Sequence, residues 1–429
     1  MLTHRHALGL LVVATTACSS VPPPEETASS ESAVAAALTE VTGFGTNPGA
    51  LKMFEHVPAK LAVAPALVLV LHGCTQGAAD AAANFGWNEL SDELGFVAVY
   101  PEQQQANNPL RCFNWAGEYG DPANVQRGKG ENESLKEMVD KAIALHGIAP
   151  KKVFVVGFSA GAAEAAVALA TWPDVFAGGA IFAGVPFMCT TTYSEVSACQ
   201  KPGKDKTPQQ WGDLVRAADS GFAGPWPRVS IWQGSADTTV GTANRVELVE
   251  QWTNVHGLAA TPSASDTVDG QKHDVFKSAS GVTLVETYEV AAMAHAVPVV
   301  PGKQCGTAGT YGVDKGICGA RRAAEFFGLT VASAPGKDGG PEASTGGPSG
   351  PTTDGGSIAV DEAGTDATMS GTGNGNGAAP NEGFDRPNAA TCAATPCGEP
   401  RRDPSAWLAT AFAVLALAVA RRRGAKAST

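Results

Sequence analysis

The sequence predicts an α/β protein with a mostly parallel central sheet and helices on both faces. Short apolar runs rich in β-branched residues alternate with segments of helical periodicity between residues 42 and 332. This alternation is typical of parallel sheets that are covered by helices. The pentapeptide Gly-Phe-Ser-Ala-Gly at 157–161 joins one such run to an Ala-rich helix. Because ligands of parallel sheets bind at the carboxyl ends of the strands, this junction is a candidate site.

The predicted elements follow in order along this domain. Strands are expected at 67–71, 96–100, 153–156, 180–182, 229–232 and 282–290. Helices are expected at 78–94, 131–146, 160–170, 243–256 and 320–327, where apolar residues recur at helical spacing. Segment 190–227 is polar, carries a cysteine and Trp211, and interrupts the alternation. We therefore expect it to form a small insert or cap after the strand 180–182, which we count as the sixth strand of the complete sheet.

Composition separates a folded domain at 42–332 from the rest of the 429-residue chain. Segment 333–391 is rich in Gly, Ser, Thr and Pro, and such a segment buries too little apolar surface to offset its ordering entropy. We expect linkers at 19–41 and at 333–391, the second of them disordered. The net charge of -12 argues against nucleic acid as a partner, because phosphate binding needs a basic surface.

Residues 1–18 indicate an export signal. Arg5 precedes a short apolar run and then small residues, which is the pattern of a secretory signal rather than of a membrane span. Residues 15–18 resemble the lipidation signal of bacterial lipoproteins, with Cys18 as the lipidated residue. Thr15 stands where that signal usually has leucine. Lipidation of Cys18 and ordinary cleavage nearby are both open.

Segment 392–429 indicates a second means of attachment to a membrane. An apolar run at 406–420 is followed by arginines at 421–423. At ~1.5 Å per residue the run spans about 22 Å, short of a ~30 Å hydrocarbon core, and flanking arginines can reach the interface. The layout resembles C-terminal sorting segments of bacterial surface proteins, and a plain anchor is the alternative. Either interpretation places the domain outside the cytoplasm, secreted or at the cell surface.

Six cysteines within the domain support export, because an even number in an exported chain favours disulfides. The two closest couples would each close a local loop and leave the remaining two to pair. The resulting pairs are Cys74 with Cys112, Cys189 with Cys199, and Cys305 with Cys318. A metal site is the alternative, but no Cys-x-x-Cys or His-x-x-x-His spacing supports one.

Ser159 is the candidate nucleophile. It occupies the centre of a Gly-x-Ser-x-Gly turn, in which a strained backbone pushes the hydroxyl out above the sheet and small neighbours let strand and helix approach. The alternative is a small residue at an ordinary strand-to-helix junction. A serine needs a base, and the base needs an orienting acid, so the rest of the chain must supply both.

His295 and Asp237 are the candidate base and acid. Enzymes with this turn carry Ser, then Asp or Glu, then His in chain order. His295 lies just past the strand 282–290, whereas His256 ends a predicted helix and His273 lies in a polar turn. Asp237 follows the strand 229–232, where it could instead serve the next helix as an N-terminal carboxylate. The other aspartates between them lie in the polar insert or near a predicted hairpin: Asp213, Asp219, Asp266, Asp269 and Asp274.

Two backbone N–H groups are candidates to bind an oxyanion. The first is that of Ala160, directly after the serine, and the second that of Cys74, in the loop after the strand 67–71. A disulfide at Cys74 would hold this loop rigid, as preorganised stabilisation requires. His72 is expected to be structural, because it precedes the serine.

The chain resembles the poly(3-hydroxybutyrate) depolymerase-like esterases, a group that includes related feruloyl and acetylxylan esterases. The likeness covers about 44–329, nearly the whole folded domain, and rests on the segments 71–76, 88–90, 100–103, 112–115, 150–161, 233–237 and 305–329. It implies an α/β-hydrolase fold, a triad of Ser159, Asp237 and His295, and oxyanion donors at Cys74 and Ala160. Trp115 and Gln76 are the substrate contacts that it implies, and ordinary packing is the alternative for Trp115.

Two positions depart from the family pattern. Ala116 stands where a further aromatic residue is common, which leaves substrate preference open, and Ala162 stands where the turn often has another glycine. Depolymerases of solid polymer usually carry a separate binding module, and the segments after 329 are interpreted as linker and anchor. Crystalline polyester is therefore less favoured than soluble esters.

We expect an exported, monomeric serine esterase that needs neither metal nor organic cofactor. Its substrate would be a hydroxyalkanoate, feruloyl or acetyl ester, cleaved through an acyl-enzyme. The alternatives are a serine peptidase of the prolyl-oligopeptidase type, which shares the residue order, and an inactive surface binding protein.

Overall fold

Ten strands form one sheet within residues 38–117 and 122–329, the part of the chain that the computed structural model describes. In chain order they are β1 Thr39–Val41, β2 Lys52–His56, β3 Leu67–Leu71, β4 Val97–Glu102, β5 Val153–Phe158, β6 Gly178–Phe182, β7 Arg228–Gly234, β8 Ala264–Val268, β9 Gln271–Lys277 and β10 Thr283–Val290. Across the sheet their order is β1-β2-β4-β3-β5-β6-β7-β10-β9-β8. The inner strands from β4 to β10 pair in parallel and the edge strands antiparallel. The predicted α/β class with a mostly parallel sheet is confirmed.

Helices cover both faces of this sheet. They are α1 Ala78–Asn84, α2 Trp87–Leu94, α3 Gly130–His146, α4 Ala160–Thr171, α5 Val196–Gln200, α6 Pro208–Ala218, α7 Ala243–Val255 and α8 Gly319–Phe327. Side chains alternate across β3, so that Leu67 and Leu69 enter one core cluster and Val68 and Val70 the other. The first cluster contains residues of α3, α4, α6 and α7, and the second contains residues of α1, α2 and α8. Burial on both faces explains why the inner strands are continuous apolar runs.

Two predicted elements differ from the structure. The single helix expected at 78–94 is broken between α1 and α2, where Gly86 adopts a left-handed φ of 83°. A Cβ at Gly86 would come within 2.8 Å of the backbone of Cys305, so the break admits that later loop. The strand expected to be the last is followed by the short parallel pair β11 Val297–Val299 and β12 Gly312–Asp314. Three-residue strands are too short to give a periodic signal.

The other predicted elements agree with the observed bounds to within two residues. The strands β1 and β2 were not predicted. For β8 and β9 no bounds were predicted, but the hairpin expected near Asp266, Asp269 and Asp274 is present as their antiparallel pair. All four strands lie toward the sheet edges, and β8 is polar and largely exposed, so it lacks the apolar run that marks a buried strand.

The insert at 190–227 follows β6, the sixth strand, as the sequence indicates. Its main helix, α6, packs against α7 and α4. Trp211 is fully buried there, and its indole N–H donates to Glu247 Oε2 of α7 at 2.6 Å. Thr207 and Gln210 cap the start of α6 reciprocally. The insert is therefore fastened to the body of the domain through α7.

Three disulfides join the six cysteines in the pairing that the sequence favours: Cys74–Cys112, Cys189–Cys199 and Cys305–Cys318. In the described ranges no helix is long and apolar enough to cross a membrane. The predicted signal at 1–18 with Cys18, the linker at 333–391 and the anchor at 392–429 lie outside the described residues, as does the linker at 19–41 up to residue 37.

Candidate active site

Ser159 sits at the sharp turn between β5 and α4. Its backbone has φ 56° and ψ -120°, a conformation that is costly for any residue with a Cβ. The Ser159 N–H donates to Phe182 O of the neighbouring strand β6 at 3.0 Å, which helps to hold the turn. The serine is half-buried, so its hydroxyl can be reached from outside.

The two glycines of the pentapeptide are required by close backbone approach. A Cβ at Gly157 would overlap the carbonyl of Gly161 one turn later. A Cβ at Gly161 would overlap the carbonyls of Leu71 and His72, where α4 crosses the end of β3. Both positions therefore need glycine for steric reasons, and the helix start is brought against the loop that follows β3.

Ala162 stands where the family often has glycine, and the structure accommodates its methyl group. The residue is fully buried, and its Cβ lies beside Gly184, where a further Cβ would approach to 2.9 Å. A glycine at 184 thus provides the space that the alanine at 162 occupies.

A continuous chain of hydrogen bonds joins Ser159, His295 and Asp237. His295 lies in the loop after β10, and its Nε2 is 2.8 Å from Ser159 Oγ. Its Nδ1 is 2.8 Å from Oδ2 of Asp237, which lies in the loop after β7. Because a carboxylate only accepts, Nδ1 carries the ring proton and Nε2 is left to accept the hydroxyl proton of serine. The two residues that the sequence singled out are thus brought to the serine.

Asp237 is built to stay ionised. Its Oδ1 accepts the backbone N–H groups of Thr239 at 2.8 Å and Val240 at 3.0 Å, and its Oδ2 also accepts Gln233 Nε2 at 2.9 Å. Burial alone would raise the pKa of this carboxyl, but the bond and charge of His295 and the two backbone N–H groups outweigh it and hold the pKa below its usual value. Asp237 can therefore fix the imidazole and stabilise its protonated form.

Aromatic rings enclose His295. The Phe158 ring lies 4.8 Å from the imidazole centroid, and the Tyr311 ring approaches edge-on at 6.5 Å. Tyr311 belongs to the loop closed by Cys305–Cys318, and its carbonyl accepts the Val297 N–H at 2.8 Å, two residues after the histidine. Tyr311 is not among the residues that the sequence motifs indicate, although its place between two paired cysteines is a signal that could have found it.

The remaining candidate histidines are engaged elsewhere. His256 Nε2 lies 2.9 Å from Pro227 O, and burial lowers its pKa to about 4. His273 lies between Asp266 and Glu286, whose charges overcome the effect of burial and raise its pKa. Neither forms part of the Ser159 network, which agrees with the preference for His295.

His72 is a neutral structural residue at the end of β3. Burial lowers its pKa to about 4. Its Nδ1–H donates to Gly73 O at 2.7 Å, and its Nε2 accepts the Gln103 N–H at 3.1 Å. Both ring nitrogens are therefore satisfied without a proton on Nε2, and the ring joins the ends of β3 and β4.

The loop 73–76 is braced by hydrogen bonds from three of its four backbone N–H groups. The N–H of Thr75 donates to Leu110 O at 2.6 Å and that of Gln76 to Gly73 O at 3.3 Å. Cys74 is tied to Cys112, and within the described residues its own N–H has no hydrogen-bond partner. Ala160 opens α4, and the first N–H groups of a helix have no intrahelical acceptor. These two N–H groups remain the candidate oxyanion donors.

The two expected substrate contacts lie inside the protein. Gln76 is 4% exposed, and its Oε1 accepts the Gly73 N–H at 2.8 Å, so its side chain stabilises the backbone of its own loop. Trp115 is 5% exposed and belongs to a core cluster, as in the packing alternative.

A buried polar network that the sequence did not indicate supports the same region. Glu131 at the start of α3 accepts Gln103 Nε2 and Asn114 Nδ2, each at 2.6 Å, and the Asn114 N–H at 2.8 Å. These bonds fix the loop that carries Cys112, and the disulfide carries this rigidity to Cys74. Among the described residues, no group of His, Cys, Asp or Glu could hold a metal ion.

The fold and this site together define a class. A parallel sheet with a strained Ser at the β5–α4 turn, hydrogen-bonded to a His that is held by an Asp, is the arrangement of the serine hydrolases with the α/β-hydrolase fold.

The chain belongs to the family whose model is described as Esterase PHB depolymerase, which matches residues 53–274. It is 50% identical over 296 residues to poly(3-hydroxyalkanoate) depolymerase C of Paucimonas lemoignei, covering 68% of this chain and 70% of that protein. It is 34% identical over 266 residues to feruloyl esterase B of Talaromyces stipitatus, covering 58% and 72%. It is also similar to the structure of an acetyl xylan esterase from Aspergillus awamori, with 26% identity, a TM-score of 0.59, and 68% of this chain and all of that one covered. The chain is thus an enzyme that hydrolyses carboxylic esters.

Proposed function

We propose that this chain cleaves hydroxyalkanoate esters, with Ser159 as the nucleophile. The observation that carries the mechanism is the unbroken Asp237–His295–Ser159 hydrogen-bond chain on a strained turn. The choice of acyl group is supported by the 50% identity to a protein named poly(3-hydroxyalkanoate) depolymerase, against 34% to a feruloyl esterase.

In the first half of the reaction, His295 Nε2 takes the hydroxyl proton as Ser159 Oγ attacks the ester carbonyl. The negative charge on the carbonyl oxygen is met by the N–H groups of Cys74 and Ala160, and losing one such donor typically costs about 2.7–4 kcal/mol. Asp237 stays ionised and holds the protonated imidazole. His295 then gives the proton to the departing alkoxide, which leaves an acyl-serine.

In the second half, water replaces the alcohol. His295 removes a proton from the water, the hydroxide adds to the acyl carbon at the same oxyanion donors, and the acid is released as Ser159 regains its proton. Every proton in this cycle passes through the one imidazole, so the mechanism needs no metal or organic cofactor.

The enzyme acts outside the cytoplasm as a monomer, and its partners are its ester substrates rather than nucleic acid. Three disulfides fit an oxidising compartment. We attribute export to the signal at 1–18, and attachment to a membrane either to lipid on Cys18 or to the segment 392–429.

A substrate panel on the full chain and on Ser159→Ala tests this proposal. The panel contains p-nitrophenyl butyrate, 3-hydroxybutyrate oligomers, methyl ferulate, acetylated xylan and a peptide nitroanilide. We expect the wild type to cleave the oligomers with the highest kcat/KM and Ser159→Ala to cleave none of the esters. Faster cleavage of methyl ferulate or acetylated xylan would replace the substrate class, and faster cleavage of the nitroanilide would favour the peptidase alternative. Undiminished ester hydrolysis by Ser159→Ala would refute the mechanism.

A further inference from the structure

A polar cavity of about 410 Å³ opens beside the candidate oxyanion loop. It lies at the carboxyl ends of β3 and β4, and Thr75, next to Cys74, forms part of its wall. Glu102, Gln104, Leu110 and Arg111 line the rest together with two further glutamines and a proline. The catalytic scheme above uses none of these side chains, so the cavity is available for another part of the substrate.

Arg111 is held at this cavity by a costly backbone conformation. Its φ is 51°, in the left-handed region that a residue with a long side chain rarely adopts. Its N–H donates to Asn108 O at 2.8 Å, and the next residue, Cys112, is tied to Cys74. The surrounding contacts therefore hold the backbone of Arg111 in an unfavourable conformation, and its guanidinium lies at the cavity wall.

Most N–H groups of this guanidinium have no hydrogen-bond acceptor among the described residues. Nη2 donates to Thr75 O at 3.0 Å, and in that part of the chain Arg111 forms no ion pair. Glu102, the acid in the cavity wall, instead accepts the Ala78 N–H at 3.1 Å on Oε2 and Gln104 Nε2 at 3.4 Å on Oε1. Because Glu102 lies in the same wall, the formal charges of the cavity cancel, and it is the planar set of charged donors on Arg111 that suits a carboxylate.

The distance between Ser159 and the cavity determines which substrate carboxylate can reach Arg111. The strands stand in the order β4-β3-β5, and neighbours are ~4.8 Å apart, so the cavity at β4 lies about 10 Å from the serine after β5. Three backbone bonds of a chain span at most ~3.6 Å, so a four-bond 3-hydroxyacid unit spans about 4.8 Å. Two such units bridge the gap from the attacked ester to Arg111.

We propose that Arg111 and this cavity form a subsite for the free carboxylate end of a short hydroxyalkanoate oligomer, on the alcohol side of the ester that Ser159 attacks. In such an oligomer the carboxyl terminus always lies on the leaving-alcohol side of every ester bond, which fixes the direction of binding. The 56% exposed side chain of Leu110 offers apolar contact at the rim for the alkyl groups of the chain. This subsite rests on the proposed function, because it presumes that Ser159 cleaves these esters.

The test compares the 3-hydroxybutyrate trimer as its free acid with the methyl ester of the same trimer. The variants are Arg111→Gln, which keeps an amide donor for Thr75 O without the charge, and Arg111→Lys, which keeps the charge without the planar fork. Arg321→Gln is the matched control. Arg321 pairs with Glu93, near the end of α2 and just before the start of β4, whereas the cavity lies at the carboxyl end of β4. Hydrolysis of p-nitrophenyl butyrate reports whether the oxyanion loop remains intact in each variant.

For Arg111→Gln we expect KM for the free acid to rise about three- to tenfold while KM for the methyl ester stays within about twofold, as for a partly exposed charge-assisted bond. Arg111→Lys should retain part of the preference for the acid. In the wild type the preference should shrink as NaCl is raised, because a partly exposed charge is screened.

The readout is the ratio of the two KM values, which a folding defect changes equally for both substrates. An unchanged ratio in Arg111→Gln would overturn the subsite and leave Arg111 as a brace for Thr75. A wild-type chain that cleaves neither trimer would overturn the subsite and the proposed substrate class together. If Ser159→Ala is inactive on p-nitrophenyl butyrate while the ratio is unchanged, the serine mechanism stands and only the subsite fails.

Discussion

Replacing Asp237 with asparagine should abolish most of the activity while leaving the fold in place. The carboxylate of Asp237 accepts four hydrogen bonds. Oδ1 receives the N–H groups of Thr239 and Val240, and Oδ2 receives His295 Nδ1 and Gln233 Nε2. An asparagine offers one carbonyl oxygen and one NH2 group, so the NH2 must face donors on one side or the other.

The backbone decides which way the amide turns. The N–H groups of Thr239 and Val240 are fixed, so the carbonyl oxygen of asparagine is expected to take the place of Oδ1. The NH2 group then faces His295 Nδ1, which has to become an acceptor, so the ring proton moves to Nε2. An imidazole with its proton on Nε2 cannot take the proton of Ser159.

The expected fall in kcat is about 10⁴-fold, or ~5.5 kcal/mol, which is the size that such a change of tautomer produces in other serine hydrolases. The NH2 group also meets Gln233, whose Nε2 is held by Val240 O at 3.1 Å, and an unsatisfied buried group costs about 1–3 kcal/mol of stability. Hydrolysis of p-nitrophenyl butyrate measures kcat, and urea unfolding measures the stability. Asp213→Asn, at an exposed ion pair on α6, is the control and should keep kcat within about twofold. If Asp237→Asn kept more than about a tenth of the wild-type kcat, a loss below ~1.4 kcal/mol, the orienting role of Asp237 would be refuted.

Three further outcomes follow from the same region. Gly161→Ala should reduce kcat by more than about a hundredfold, because the new methyl group overlaps two carbonyls and an oxyanion donor lies beside it. Ala162→Gly is the control and should retain activity, so comparable kcat values for the two variants would contradict this expectation. Replacing both Cys74 and Cys112 with serine opens a loop of 38 residues, so the free energy of unfolding should fall by up to ~4 kcal/mol and kcat should also fall. An unchanged midpoint of urea unfolding would contradict this expectation. Burial lowers the pKa of His72 to about 4, so between pH 6.5 and pH 4 the unfolded chain binds a proton that the folded protein does not. The free energy of unfolding should therefore be largest above pH 6.5 and fall toward pH 4 by about 3.4 kcal/mol at most. Urea unfolding of His72→Gln should show a shallower pH dependence, and an equal dependence would exclude this cause.

The sequence predicted the framework of the site because each part is constrained locally. Ser159 is recognised by the glycines around it: Gly157 is required by the close approach of Gly161, and Gly161 by the approach of α4 to β3. Asp237 and His295 were chosen because they directly follow inner strands, and parallel strands bring their carboxyl ends to one edge. The structure joins all three through His295, which lies within hydrogen-bond distance of both Ser159 and Asp237.

What the sequence did not predict depends on contacts between distant segments. Glu131 lies in local sequence that carries no signal, and the fold alone brings it to the loop of Cys112. Tyr311 lies between the paired Cys305 and Cys318, but its approach to His295 also depends on the fold. Gln76 was expected to contact substrate, and the local sequence did not indicate that its Oε1 accepts the Gly73 N–H of its own loop. The break at Gly86 serves a loop that lies more than two hundred residues later in the chain, so local helical periodicity could not indicate it.

The most direct test of the central claim is to identify the residue that a fluorophosphonate probe modifies, by mass spectrometry of peptides from the full chain. A strained, hydrogen-bonded serine next to an imidazole should react at Ser159 alone, with loss of ester hydrolysis in proportion to labelling. The adduct should be absent from Ser159→Ala and form far more slowly in Asp237→Asn. Labelling at another serine, or full labelling of Ser159 with ester hydrolysis intact, would contradict the account.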